Sequence, residues 1–286
     1  MAIRTFNLDT PRGFFGVRAY GLDRAPPLVL LHGFPDDAST FDHVLPKLAA
    51  QGCYAVAPYL RGYAPSTLMP PFDVGTLADD LCAICAKLSL GRPLDVIGHD
   101  WGALAYYHAA AKAPQSFRKA VAMSVPHPKA LFANQKGVIS QLWRSRYFGL
   151  FQERDVSNQK MMADDLAYID RLWHRWSPGL KAAPPAHLPE HLRRVKQTFH
   201  DSMPAPLESY RQTELHGPDD PIAVPTLCLH GADDRCIGPD LLAGQDGYFS
   251  NDYRVEILPA AGHFLHHEQP DRFVELVTQW LTEDVK

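Results

Sequence analysis

Six short runs of mostly apolar residues punctuate the chain: Leu28–Leu31, Tyr54–Ala57, Leu94–Ile97, Ala120–Val125, Thr226–Leu229 and Val255–Leu258. They are too short for helices, and most lack the alternation of a strand with one wet face. Strands buried on both faces read this way. Between them lie segments with helical patterning, including Leu77–Leu88, Ala103–Tyr107 and Phe273–Leu281. That alternation predicts the α/β class, a mostly parallel sheet with helices on both faces. The N-terminal segment is different. Arg4–Tyr20 alternates polar and apolar residues around a turn at Pro11-Arg12-Gly13, which predicts an antiparallel hairpin at the sheet edge.

The strand rhythm stops between about Pro126 and Pro221. This stretch holds Trp143, Trp173, Trp176 and a proline-rich run from Pro178 to Pro189, and is otherwise helical in pattern. It is read as an inserted helical cap, residues 126–219, over a core domain made of 1–125 and 220–286. Such a cap belongs over the C-terminal edge of the sheet, where open α/β folds bind ligands. Repeats and low-complexity tails are absent from the sequence.

Bulk properties narrow the function without naming it. A formal charge of −4 with mixed signs offers nucleic acid no basic surface. No apolar run approaches a membrane span. The first residues lack the apolar core of a signal peptide, so residence in the cytoplasm is expected. Five cysteines, an odd number, argue against a disulfide framework. Cys82 and Cys85 form C-x-x-C inside a helical segment, away from any helix start that would stabilise a thiolate, and read as small buried residues.

Gly98-His99-Asp100-Trp101-Gly102 carries the chemistry. It joins a strand-like run to a helix-like one and has the form of a nucleophile elbow, with aspartate in place of serine. A carboxylate is ionised at neutral pH and needs no base in order to attack. Being weak, it suits displacement at a saturated carbon with a strained or good leaving group. The product is an ester of the aspartate, which water can open given a base and an oxyanion hole. Candidates for both are present. His263, in Ala261-Gly262-His263-Phe264, follows the last strand. An orienting acid belongs after the preceding strand, in His230-Gly231-Ala232-Asp233-Asp234. Backbone N–H groups of Phe34 and Trp101 are placed to hold the oxyanion.

Taken together, His32-Gly33-Phe34-Pro35, Arg61-Gly62-Tyr63-Ala64-Pro65-Ser66, the elbow and Gly262-His263 resemble the α/β-hydrolase epoxide hydrolases. The resemblance runs over nearly the whole chain and is weakest in the proline-rich half of the cap. It implies an α/β-hydrolase fold, an Asp100–Asp234–His263 triad with Asp234 preferred to Asp233, and no cofactor or metal. Arg146–Glu153 and Glu208-Ser209-Tyr210-Arg211 look like the family's two cap-tyrosine motifs, which makes Tyr147 and Tyr210 the acids that protonate the epoxide oxygen. The implied partners are an epoxide and water; the Trp, Tyr, Phe and Leu content of the cap suggests an apolar or aromatic epoxide, and a homodimer is one assembly considered. A cis peptide before Pro35 is also implied, and His32, His99 and Arg61 read as framework residues.

Haloalkane and fluoroacetate dehalogenases share the four core motifs. Phe34 departs from the asparagine common in the former, and Trp101 from the arginine typical of the latter. A hydrolytic dehalogenase is therefore the enzymatic alternative, and a hydrolase-fold ligand receptor the non-enzymatic one. Two plainer readings compete for particular residues. Tyr147 falls in a helical stripe with Trp143 and Phe151, which would mean packing. His263, His266, His267 and Glu268 are metal-ligand residue types, but the chemistry requires no metal, and His266–Glu268 are read as opening the last helix.

Overall fold

The computed structural model describes residues 1–283 apart from Leu90, Asn134 and Leu215. Among the described residues, eight strands form one sheet: β1 (Arg4–Thr10), β2 (Gly13–Tyr20), β3 (Pro27–Leu31), β4 (Tyr54–Pro58), β5 (Leu94–His99), β6 (Phe117–Met123), β7 (Thr226–Gly231) and β8 (Tyr253–Leu258). Their order is β1-β2-β4-β3-β5-β6-β7-β8. β1 pairs antiparallel with β2, and β2 with β4; every later pairing is parallel. The N-terminal hairpin is thus the sheet's edge, as its alternation predicts. β4 and β7 are buried along their whole length, because helices cover both faces.

Local chemistry sets the element ends. Helix Val74–Leu88 starts at Asp73, whose carboxylate accepts the Thr76 N–H at 2.9 Å. Cys85 is buried on it, Cys82 partly so, and both thiols are free and pushed up by burial. The last helix is Pro270–Thr282, and Leu265–Glu268 is a separate turn. This corrects the expectation that His266–Glu268 open that helix. Proline disfavours helical backbone in the residue before it, and Gln269 is non-helical at φ −135° and ψ 62°. β6 is also displaced from its predicted span, ending at Met123 because Ser124 turns to φ 62°.

Between β6 and β7 no strand occurs among the described residues. The chain runs instead through helices that include Gln135–Arg144, Tyr147–Gln152, Arg154–Met162, Ala167–Trp176, Leu188–Ser202 and Ala205–Gln212. The proline-rich run does not break this pattern: Pro178 and Pro189 sit in the first turns of their helices, where a missing N–H costs nothing. The segment is docked to the loops at the C-terminal ends of the strands. Trp173 Nε1–H donates to the Pro35 carbonyl at 2.8 Å, and the Trp176 carbonyl accepts the N–H groups of Arg235 and His263. None of the described helices is long and apolar enough to cross a membrane.

Candidate active site

Asp100 stands between β5 and helix Trp101–Lys112 with φ 51° and ψ −115°, a conformation that side chains rarely adopt. The sharp turn requires helix and strand to touch, and Gly102 permits it. A Cβ there would lie 2.4 Å from the Leu31 carbonyl oxygen. Gly33 does the same on the facing loop, where a Cβ would lie 2.4 Å from that of Asp100. The close approach lets the Phe34 N–H donate to Asp100 Oδ1 at 2.8 Å. Trp101, the second expected donor, is the first residue of its helix, so its N–H has no intrahelical acceptor. It makes no hydrogen bond to the resting carboxylate. The Phe34–Pro35 peptide is cis.

The other carboxylate oxygen, Oδ2, lies 3.5 Å from His263 Nε2. His263 Nδ1 bonds Asp234 Oδ2 at 2.9 Å. Asp234 Oδ1 accepts the N–H groups of Cys236 at 2.6 Å and Ile237 at 2.9 Å, while Asp233 is exposed. The carboxylate opposite His263 is therefore that of Asp234. With Nδ1–H committed to it, Nε2 is the nitrogen turned to Asp100.

The loop bearing His263 is held on several sides. Its carbonyl accepts Ser124 Oγ at 2.7 Å and His99 Nε2 at 3.0 Å. The Gly262 N–H donates to Glu268 Oε2 at 2.6 Å, and the Phe264 N–H to Ser177 Oγ at 2.9 Å. Glu268, Ser124 and Ser177 carry no sequence signal for this work, since each acts through one bond fixed only by the fold. His32 and Arg61 tie neighbouring loops. His32 Nε2 accepts the Leu60 N–H at 3.0 Å, and Arg61 pairs with Asp80 at 2.6 Å while also donating to the Met69 and Arg12 carbonyls.

Burial penalises both charges of the Asp100–His263 pair, but their partners more than compensate. Asp100 is pushed up by burial and pulled down further by His263, His99 and the Phe34 N–H, so it ends below the ordinary carboxylate value. His263 is pushed down by burial and up by Asp234 and Asp100, to about 10. Both shifts favour the charged forms, carboxylate and imidazolium.

Tyr147 and Tyr210 are brought together, and the Asp100 charge acts on both phenols. Their rings lie 5.8 Å apart at 80°, and Tyr210 packs edge-on against Phe34 and Trp101 at 5.0 and 4.9 Å. Both phenols are buried and raised well above their usual value. For Tyr147 the causes are burial, Cys236, Tyr210 and Asp100; for Tyr210 they are burial and Asp100 ahead of the rest. Both therefore stay protonated and able to donate. The packing stripe anticipated for Tyr147 is formed on one side only, where its ring meets that of Phe151 at 5.5 Å. The helix breaks between Arg144 and Tyr147, leaving Trp143 69% exposed with the Arg146 guanidinium over its ring. Cys236, unremarkable in the sequence, is buried with its Sγ 3.5 Å from the Tyr147 hydroxyl.

The two tyrosine-bearing motifs are locked to each other. Arg211 Nε donates to the Phe151 carbonyl at 2.8 Å, Gln152 Nε2 to the Tyr210 carbonyl at 3.0 Å, and Arg154 pairs with Glu208. The Arg211–Glu208 pair, at 2.7 Å, is almost wholly buried. Removing Arg211 leaves the buried Glu208 facing only the largely exposed Arg154 and leaves the Phe151 carbonyl without its donor. Arg211→Ala is accordingly expected to destabilise the protein in chemical denaturation by about 2–3 kcal/mol, less than a buried charge left wholly unpaired costs.

The site thus holds a carboxylate in a strained strand–helix turn, faced by a backbone donor and a histidine–aspartate pair. The chain belongs to the α/β hydrolase fold family, whose pattern matches residues 26–270. It is 26% identical over 273 residues to AB hydrolase superfamily protein YfhM of Bacillus subtilis, covering 93% of each chain. It is 27% identical over 274 residues to Epoxide hydrolase 3 of Xenopus tropicalis, covering 93% of this chain and 74% of that one. With Epoxide hydrolase A of Mycobacterium tuberculosis it shares 25% over 299 residues, 90% of this chain and 91% of the other. In three dimensions it is similar to a Bacillus megaterium epoxide hydrolase solved with an inhibitor. That comparison has a TM-score of 0.83 at 22% identity and covers 97% of this chain and all of that one, a likeness of fold.

Proposed function

We propose that the protein is an epoxide hydrolase working through an ester on Asp100. The observation that carries the reading is the Asp100 carboxylate held between the Phe34 N–H and His263, its charge acting on two buried phenols. The relatives named as epoxide hydrolases support the substrate class.

In the first step an Asp100 oxygen attacks a ring carbon and the C–O bond breaks. The electron pair goes to the epoxide oxygen, which hydrogen-bonds to Tyr147 and Tyr210 and takes a proton from one of them. Forming the ester removes the Asp100 charge that helps hold the proton on His263. The imidazolium pKa falls and its proton leaves, restoring the phenol directly or through solvent. Neutral His263, oriented by Asp234, then takes a proton from water as the water attacks the Asp100 carbonyl carbon. The Phe34 and Trp101 N–H groups hold the resulting oxyanion. Its collapse expels the alkoxide, which takes the proton from His263 and departs as a vicinal diol. Residues 126–219 act as a cap over the core, with Phe34, Phe148, Phe151 and Tyr210 forming an aromatic surround suited to an apolar epoxide.

Tyr147→Phe with Tyr210→Phe is expected to slow formation of the ester by about 10²–10⁴-fold, the range for a positioned acid, with each single change costing less. Single-turnover kinetics would measure it, and an unchanged rate in the double variant would remove the tyrosines from the chemistry.

One observation favours a second reading, hydrolytic dehalogenation. Among the described residues, Trp176 Nε1–H is buried without a hydrogen-bond partner, with its ring 5.2 Å from Tyr147 and 5.3 Å from His263. An indole N–H of this kind can stabilise a halide. Parallel incubations with styrene oxide and 1-bromobutane separate the two, since diol without bromide supports the epoxide reading and bromide without diol supports the other.

A further inference from the structure

Behind the site, where the N-terminal end of helix Leu188–Ser202 meets the core, histidines gather from three distant parts of the sequence. His43 follows the turn Ala38–Phe41, His187 precedes the helix, and His267 lies four residues beyond His263. One ring nitrogen from each falls within 4.8 Å of the other two. The His187 Nε2 to His267 Nδ1 distance is 3.0 Å, and the His43 ring is 4.3 Å from that of His187 and 4.4 Å from that of His267. His43 and His187 are half-buried, His267 is buried, and all three border a surface pocket of about 450 Å³.

The outward-facing bonds of two of these rings suit ligands. His43 Nε2–H donates to the His266 carbonyl at 2.7 Å, which leaves Nδ1 with its lone pair free. His267 Nε2 bonds Thr40 Oγ1 at 2.8 Å, which fixes the ring with Nδ1 toward His187. Outer bonds of this kind orient histidine ligands in metal sites. Of the nearby carboxylates, Asp42 is engaged by Arg18 and Arg194, whereas Asp36 gives only Oδ1 to His191 and is grouped with His266 and His267, their ligand atoms within 4.8 Å of one another.

We propose that His43, His187 and His267 form a binding site for a divalent transition-metal ion of the zinc type. Three neutral imidazoles suit Zn²⁺, Co²⁺ or Ni²⁺ and not the oxygen-seeking Ca²⁺ or Mg²⁺. Metal–nitrogen bonds near 2.0–2.1 Å place tetrahedral ligands about 3.3 Å apart, and the His187–His267 pair, hydrogen-bonded at 3.0 Å, is within about 0.3 Å of that spacing once the shared proton leaves. His43, stacked on His187 with the rings 19° from parallel, must tilt about its bond to the His266 carbonyl to bring Nδ1 to the ion. The site is independent of the catalytic chemistry. It would join the helical segment, through His187, to the stretch of chain that carries the proposed base. The expectation of no metal rested on His263, His266, His267 and Glu268. The structure does not gather that group, because His263 faces Asp234 and Glu268 faces the Gly262 N–H.

The test is calorimetric titration of chelator-treated wild-type protein with Zn²⁺, beside His187→Ala, His43→Gln and His187→Cys, and Co²⁺ absorption as a report on coordination. Wild type should bind one ion per chain with a tetrahedral Co²⁺ spectrum, and should melt at a higher temperature with Zn²⁺ than without it. His187→Ala and His43→Gln should each weaken binding by more than the roughly 10–100-fold that loss of an outer partner costs, and His187→Cys should restore it. Both replaced residues are half-buried at the pocket, so the metal-free variants should melt as wild type does. Binding that is absent in wild type, or undiminished in His187→Ala, would overturn the proposal.

Discussion

Asp100→Asn should abolish turnover, lowering it by on the order of 10⁴-fold or more, because the residue proposed to form the bond with substrate is lost. The carboxamide has the shape of the carboxylate and can still accept the Phe34 N–H, so the elbow is preserved. It lacks the charge that makes the carboxylate a nucleophile, and it also removes one of the two anions that hold His263 protonated. Initial rates on freshly prepared protein measure the loss. A near-wild-type initial rate, without slow deamidation to aspartate, would exclude Asp100 as nucleophile.

His263→Gln should divide the reaction in two. Alkylation does not need the imidazole as a base, so substrate should still add once per chain. Hydrolysis of the ester does need it, and steady-state turnover should fall by about 10²–10⁴-fold. An intact-mass spectrum should show a substrate-sized adduct on Asp100, and no adduct would count against the assignment. The wild type offers a matching pH test. The Asp100 pKa lies below the ordinary carboxylate value, so alkylation should be flat across neutral pH. Asp234 and the charged Asp100 together raise His263 to about 10. In the ester Asp234 remains the only facing anion, so the pKa drops. Hydrolysis should rise with pH through that lower value and level off above it, and a hydrolysis rate that is constant across this range would contradict a histidine base.

The sheet was readable because its strands are short aliphatic runs buried on both faces, and periodicity reports that burial directly. The edges of elements were harder. β6 stops where Ser124 turns to bond the His263 carbonyl, a demand of tertiary structure that leaves no trace in local composition. The elbow could be placed from Gly98 and Gly102 because close packing there allows few other residues. The facing of Asp234 and not Asp233 toward His263 could be ranked from the resemblance, while its cause, the pair of N–H groups that fix Asp234, is visible only in three dimensions. Tyr147 shows the limit of pattern. Trp143, Tyr147 and Phe151 are spaced as a helical stripe, yet a break in the helix exposes Trp143 and buries the other two. Contacts between distant residues had no local signal at all. Cys236 beside Tyr147, Arg211 across to Phe151, and His43 with His187 and His267 each depend on how the helical segment sits on the sheet.

The most direct test of an Asp100 ester is a single turnover of styrene oxide, with enzyme in excess, in water labelled with heavy oxygen, followed by mass analysis of the diol and of the peptide containing Asp100. Hydrolysis at the aspartate carbonyl places the label in the Asp100 carboxylate and leaves the first diol unlabelled. Label in the diol, with none on Asp100, would mean that water attacks the epoxide itself and would contradict the covalent account.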